Sequence, residues 1–423
     1  MPATWQRRSV GTRTERIGDF PLYFIVGLFA LDNVVNYVAA IPIYVASIPL
    51  SVLILFCHTH SRRDRILFIV CMACVLASVA VNFVRFDYSM QDISDILFLI
   101  QFFAAFFYAR HARVSSRAIS IVTLAFALLF VPTLLGINAS DYSEDVFVSG
   151  SRDVEFLRLY NQGLYRLPHV AAYMLAFSGL WWLWMASRTR NRWHYGVALI
   201  FIFFTLYTGS RTPFFVFVAA YFASSIRFRA GHVAASIGAL LVVAFFVLLF
   251  SQVLDFLYGT FLYQYFSLFE TMSENYDRLS RVIIWSSWLS AISQFNGIDF
   301  LFGRDFSSSF DFNLKEIGLS IWFHNDFMSM FYSYGIVVLG AYLVPYVVVV
   351  KEAIRRRESK LIEVCGIFIP ASAFINGFYK YLPIVFFLFL MSKSLEANRG
   401  VIASSARMGG AWRRVRFAAI GRR

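Results

Sequence analysis

Position 324 carries an imidazole within Trp322-Phe323-His324-Asn325-Asp326-Phe327, flanked by polar groups able to orient its ring. Imidazole is the usual side chain for taking a proton near neutral pH, so His324 is a candidate general base. The plainer reading of the same residue is an interfacial or capping histidine at a helix start. Arg211 stands in Tyr207-Thr208-Gly209-Ser210-Arg211-Thr212-Pro213, between two short apolar runs. A guanidinium at a membrane boundary is costly and is usually functional or paired; the alternative is a side chain that snorkels from a helical hairpin. His169 is the second histidine outside the basic loops. Asp32, with Asn33 and Asn36, interrupts an otherwise apolar run. A carboxylate at such depth can line a transport path, bind a sugar or pair with another helix.

A further set of cations belongs with these residues. Most of the 38 Lys and Arg fall in short basic windows, but Arg85, Arg152, Arg158, Arg166, Arg278, Arg281, Arg304, Lys315 and Lys380 do not. Guanidinium groups beside apolar helices suit an anionic headgroup, because Arg makes paired hydrogen bonds to phosphate. Salt bridges to loop acids such as Glu270, Glu274 and Asp277 are the competing explanation, and surface pairs of that kind contribute little.

The elements that must hold these groups are membrane helices. Of 423 residues, 59% are hydrophobic and only 15% charged, against about a quarter charged in an ordinary soluble domain. The 19% aromatic content suits many helix ends at lipid interfaces. A crossing helix needs about 20 largely apolar residues. About twelve such runs are expected, near 20–38, 41–57, 66–84, 95–109, 118–137, 168–186, 195–209, 213–226, 233–252, 326–350, 361–378 and 381–396. The fold class is therefore an all-α, polytopic integral membrane protein.

The formal charge of +13 is explained by topology. Basic windows at 7–16, 62–65, 110–117, 188–192, 227–229, 351–360 and 393–423 all fall on one side when the runs alternate, as the positive-inside rule requires of cytoplasmic loops. No nucleic-acid partner is implied. Residues 1–19 and 397–423 are expected as basic cytoplasmic ends, the first leading into an uncleaved first span. Two long segments project outward, 138–167 and 253–325, the latter between the ninth and tenth spans. Apolar spacing over 280–292, with Trp285 and Trp288, predicts a helical cap there. Cys57, Cys71, Cys74 and Cys365 lie in or beside apolar runs and read as packing residues, with no disulfide. No metal-ligand cluster is expected on the outer face.

With those elements in order, three motifs resemble the superfamily of O-antigen ligases and Wzy-type polymerases of O-antigen and exopolysaccharide. They are Thr208-Gly209-Ser210-Arg211-Thr212, Ser280-Arg281-Val282-Ile283-Ile284-Trp285, and His324-Asn325-Asp326-Phe327 followed by Gly335-Ile336-Val337-Val338-Leu339-Gly340. The resemblance implies a metal- and cofactor-independent, inverting glycosyltransferase of the bacterial inner membrane with its site facing the periplasm. It implies an undecaprenyl-diphosphate-linked oligosaccharide donor, an acceptor that is glycan or lipid A core, contacts with membrane lipids, and a chain-length regulator as partner. Catalytic roles then fall on His324 as base and on Arg211 and Arg281 as holders of the diphosphate. Arg278, Arg304, Arg152, Arg158, His169 and Asp32 become substrate-binding candidates.

One departure is Phe302-Gly303-Arg304-Asp305-Phe306, where relatives carry a Gly-rich turn; it makes Arg304 an added anion contact. The spacing Arg152 to Gly163 fits the Arg-x10-Gly pattern of the polymerases and favours polymerase over ligase. A lipid-linked glycan transporter is the reading from another class, since transporters also have about twelve helices, with sites near the midplane on broken helices in repeated halves. No internal repeat is visible in the chain.

Overall fold

The computed structural model describes residues 13–39, 43–59, 61–110, 112, 114–138, 161–189, 191–210, 212–218, 280–318, 320–355, 360–375, 377 and 379. Their secondary structure is helical, joined by turns and loops, with no strand among the described residues. Helices α1 (Arg13–Ala39), α2 (Tyr44–Cys57), α3 (Arg62–Phe83), α4 (Met90–Ala109) and α5 (Ser116–Phe130) come first, followed by α6 (Pro168–Thr189) and α7 (Arg192–Tyr207). After these come α8 (Ser280–Ser293), α9 (Gly297–Phe302), α10 (Ser308–Ile317), α11 (Asp326–Arg355) and α12 (Lys360–Ile375). Five segments are long and apolar enough to cross a membrane: Asp19–Ala39, Arg62–Phe83, Met90–Ala109, Ser116–Leu135 and Asp326–Lys351. The expected spans at 233–252 and 381–396, most of 213–226, residues 1–12 and the basic end at 397–423 lie outside the described residues.

Side-chain contacts fix which helix ends lie together. The ring of Phe20 on α1 meets His58 after α2, and Asp19 accepts hydrogen bonds from the Ser115 N–H and hydroxyl at the start of α5. Phe56 on α2 meets Phe68 on α3, which meets Phe107 on α4. Arg110 after α4 pairs with Asp64 on α3 at 2.6 Å. One end of the bundle therefore gathers Arg62, Arg63, Arg65, Arg110 and Arg117. This basic end realises the charge asymmetry read from the loops.

At the opposite end the segment 161–167 is fastened between helices. Leu164 N–H donates to the Leu129 carbonyl of α5 at 2.9 Å, Asn161 N–H to Thr208 after α7 at 3.1 Å, and Arg166 N–H to the Asn33 side chain of α1 at 2.9 Å. Gly163, at φ +59, lies against the α5 backbone, where a Cβ would come within 3.0 Å of Leu129 and Phe130. The glycine of the Arg-x10-Gly spacing thus has a packing reason of its own.

The helical cap is present as α8, α9 and α10. Trp288 Nε1 donates to the Met328 carbonyl at 3.1 Å, and the Ser287 hydroxyl donates to Asn313 at 2.6 Å. Ile284, Ala291, Phe323 and Tyr332 form a small apolar core under it, separate from that of the bundle. The cap rests on the end opposite the basic one, because its loops bond to the far end of α3 and the first turns of α11.

Helix starts and the continuity of one span differ from expectation; α1 already begins at Arg13, inside the expected basic end at 1–19. Helix α4 begins at Met90 rather than 95, because Ser89 and Asp92 form a capping box: the Asp92 N–H donates to the Ser89 hydroxyl and the Ser89 N–H to the Asp92 carboxylate. The run at 326–350, expected as one continuous span, is broken at Gly335, whose φ of 72° and ψ of −174° are not helical.

Candidate functional site

The break in α11 is built around two glycines. Gly303, after α9, and Gly335 meet backbone to backbone: a Cβ on Gly335 would come within 3.0 Å of the Leu301 carbonyl, and one on Gly303 within 3.0 Å of the Tyr334 and Gly335 amide nitrogens. Carbonyls freed by such a break must find donors, since lipid offers none. Polar side chains on α3 supply them. The Ser78 hydroxyl donates to Phe302 and Tyr334 carbonyls, and Asn82 Nδ2 to those of Phe302, Arg304 and Ser333 at 3.0, 2.8 and 3.2 Å. A buried Ser and Asn one helical turn apart inside an apolar helix are explained by this task.

Charge completes the clamp. Asp299 on α9 pairs with Arg85, just beyond α3, and with Arg304 at 3.4 Å. Arg304 also lies over the Phe295 ring, 5.1 Å from its centroid. The salt-bridge alternative describes Arg304 in this geometry, with the cation held at the cap's edge.

Burial alone would push the Asp299 carboxyl up, but hydrogen bonds from Arg85 and Asn296 and the charges of Arg304 and Arg85 hold it below its ordinary value. Asp305 behaves oppositely: burial pushes it up, against hydrogen bonds from Ser308 and Ser307, and the charge of Asp92 adds to the rise. The two act at different pH. As pH falls from neutral, Asp305 takes its proton first, and this favours the docked cap. Asp299 stabilises the docked cap as an anion, and that contribution is lost only when pH falls below about 3.9, the ordinary Asp value. Cap proteolysis is expected to stay flat or decline slightly down to that point and to rise below it; Asp299→Asn should raise it already at neutral pH.

His324 sits where the cap returns to the bundle. Its backbone, at φ 50°, is the one described non-glycine in the left-handed region, a conformation that needs surrounding support. Asn325 provides it on one side: its side-chain oxygen accepts from the Phe327 and Met328 N–H groups at 3.0 and 3.1 Å, capping α11. Trp322 provides it on the other, its ring 5.2 Å from that of His324 and tilted by 42°. Both rings are partly exposed. His324 is therefore separate from the helix cap, and the capping role belongs to its neighbour.

Directly below, Asp326 is fully buried. It accepts from the Tyr342 hydroxyl at 2.8 Å and from the Tyr379 N–H at 3.2 Å. The Tyr379 hydroxyl donates to Asp95 on α4, which also accepts from Tyr334 at 2.7 Å. Two buried carboxylates on different helices are thus joined through one tyrosine. Asp95, Tyr334, Tyr342 and Tyr379 stand in no motif of the sequence and are joined only by the fold. The available signal was the pair of acids at 92 and 95 leading directly into an apolar run.

A second polar group lies at the same end of the bundle. His169, in the first turn of α6, hydrogen-bonds the Ser210 hydroxyl through Nδ1. Ser210 immediately precedes Arg211, so the chain brings the Thr208–Ser210 turn and His169 together; Arg211 itself lies outside the described residues. Arg152, Arg158 and Arg278 also lie outside them, as does the Arg281 side chain, although residue 281 is in the first turn of α8. Asp32 is buried in α1, one residue before the asparagine that binds the 161–167 segment. Among the described residues, no group of three or more His, Cys, Asp or Glu could hold a metal ion.

No protein-family model matches the chain, and no curated protein matches it.

Proposed function

We propose that this chain is a multi-pass inner-membrane glycosyltransferase of about twelve spans that works at the periplasmic face on an undecaprenyl-diphosphate-linked glycan, as a Wzy-type polymerase of O-antigen or exopolysaccharide units. The observation that carries the proposal is the gathering of His324 and the His169–Ser210 pair at one end of the bundle, opposite the basic end. By the positive-inside rule the basic end is cytoplasmic, and the His324 end then faces the periplasm, where the lipid-linked donor is presented.

In this reading His324 takes the proton of the acceptor hydroxyl as that oxygen attacks the anomeric carbon from the side opposite the diphosphate. The bond from the anomeric carbon to the diphosphate oxygen breaks, its electron pair leaves with the diphosphate, and the configuration inverts. Negative charge grows on the leaving group, so guanidinium groups from Arg211 and Arg281 lower the barrier. His324 then returns its proton to solvent. The chemistry uses no cofactor.

Arg211→Lys is expected to be nearly as damaging to turnover as Arg211→Ala, because an ammonium point charge does not reproduce the planar, paired contacts of a guanidinium with a diphosphate. Full activity in the Lys variant would instead favour a snorkelling side chain. Topology has its own check: a tag at Ser308 should be reachable from the periplasm and one at Arg356 only from the cytoplasm. A cytoplasmic Ser308 tag would remove every assignment above.

Polymerase and ligase separate in a deletion strain. A single repeat unit on the surface core indicates loss of a polymerase, and long lipid-linked chains missing from the core indicate loss of a ligase. The transport reading draws on the break at Gly335 and on buried Asp32 and Asp95, since transporters bind cargo at broken helices. Against it, carbonyls beside this break are taken up by Ser78 and Asn82. Unflipped cytoplasmic intermediates in the deletion strain would favour transport.

A further inference from the structure

We infer that the turn following α12, through Gly377 and Tyr379, is the positioning element that fixes the His324 ring and loop; this rests on His324 being the base of the proposed reaction. Three contacts carry the inference. Gly377, at φ +71, ends α12 by donating its N–H to the Ser372 carbonyl at 3.1 Å. At the same point it presents a bare Cα to the His324 segment. A Cβ there would come within 3.0 Å of Trp322 Cη2 and of the Asp326 Oδ1, one side chain on each side of His324. Two residues on, the Tyr379 N–H donates to the other oxygen of Asp326, and its hydroxyl reaches Asp95.

The consequence is geometric. Trp322 places its ring near that of His324, and Asp326 pins the chain two residues beyond it. The left-handed backbone at 324 is held between those two points, and both rest on the same turn. Tyr379 carries the hold across to α4, so the loop is referenced to the bundle as well as to the cap. Gly377 acts through Trp322 and Asp326, and Tyr379 through Asp326. Their role is to hold the base in register with a donor bound elsewhere in the site.

Gly377→Ala tests this, with Gly318→Ala as its control. Gly318 ends α10 at φ +70 with nothing within 4 Å of a built Cβ, so both substitutions impose a similar backbone strain and only one meets the His324 segment. With purified full-length protein in nanodiscs and an undecaprenyl-diphosphate-linked repeat unit, Gly377→Ala should lower kcat by about 100-fold, the cost of displacing a catalytic group by roughly 1 Å. Donor KM should hold, and Gly318→Ala should match wild type.

The rate at which diethyl pyrocarbonate modifies His324, followed by mass spectrometry of its peptide, should change in Gly377→Ala alone. Equal kcat in all three proteins, equal losses in both variants, or an unchanged modification rate would overturn the inference. If wild type performs no transfer while the modification rate still changes only in Gly377→Ala, the positioning stands and the proposed reaction fails.

Discussion

His324→Ala is expected to lower turnover of a lipid-linked donor by about 100-fold to 10,000-fold while leaving donor affinity nearly intact, the usual contribution of a general base. The geometry sharpens the expectation. A histidine that caps a helix would, on substitution, cost about 1 kcal/mol of stability and leave activity per folded molecule unchanged. Here the cap of α11 is Asn325, whose side chain already receives two N–H groups. The left-handed conformation at 324 is a strain that alanine would share, so replacement should change stability little. Turnover normalised to folded protein therefore separates the roles, and near-wild-type turnover would remove His324 from the mechanism, leaving His169 beside Ser210 as the next base to test.

Gly335→Ala is expected to be the most destabilising single-methyl change described here. Its Cβ would meet the Leu301 carbonyl and the Phe302 nitrogen closer than 3.0 Å, and both are backbone atoms that cannot swing away. The φ of 72° with an extended ψ adds a strain of about 1–3 kcal/mol for any residue with a side chain. Relief requires α9 to lift from α11, which would uncouple Asn82 and Ser78 from the carbonyls they satisfy. A total on the order of 4 kcal/mol or more, with a cap open to protease, is the expected result. Gly340→Ala is the comparison: no atom lies within 4 Å of its built Cβ, and alanine is favoured over glycine in a helix interior by about 1 kcal/mol. That variant should be at least as stable as wild type. Equal stability of Gly335→Ala and Gly340→Ala would contradict the close backbone crossing.

What the sequence could and could not disclose follows from the range of the interactions involved. Helix α8 was readable because Trp285 and Trp288 fall at helical spacing, and the basic end because loop charge is a local property. The polar start of α11 was readable for the same reason. The break at Gly335 was not: a glycine within an apolar run reads as tolerated in a membrane helix, and its reason lies in Gly303, on a different element.

The expected span at 95–109 starts at Asp95 and leaves Asp92 outside it, whereas both acids lie inside α4. Ser89 is a local partner of Asp92 and marks the helix start, but Ser307, Tyr334 and Tyr379, which bury the two acids, are distant in sequence. Arg304 illustrates the converse. Its type and exposure suited either an anion or a nearby acid, and only the fold brings Asp299 and Phe295 to it.

The central claim, transfer of glycan from an undecaprenyl diphosphate carrier at the cap end of the bundle, is tested most directly by product release from the purified protein. The purified protein in nanodiscs, given an undecaprenyl-diphosphate-linked repeat unit as both donor and acceptor, should yield chains longer than one unit and one free undecaprenyl diphosphate per bond formed. Release should fall with His324→Ala and with Arg211→Lys. If no undecaprenyl diphosphate is released, and the same protein in vesicles moves intact lipid-linked repeat units from one leaflet to the other, the glycosyltransferase account is wrong and the chain is a transporter.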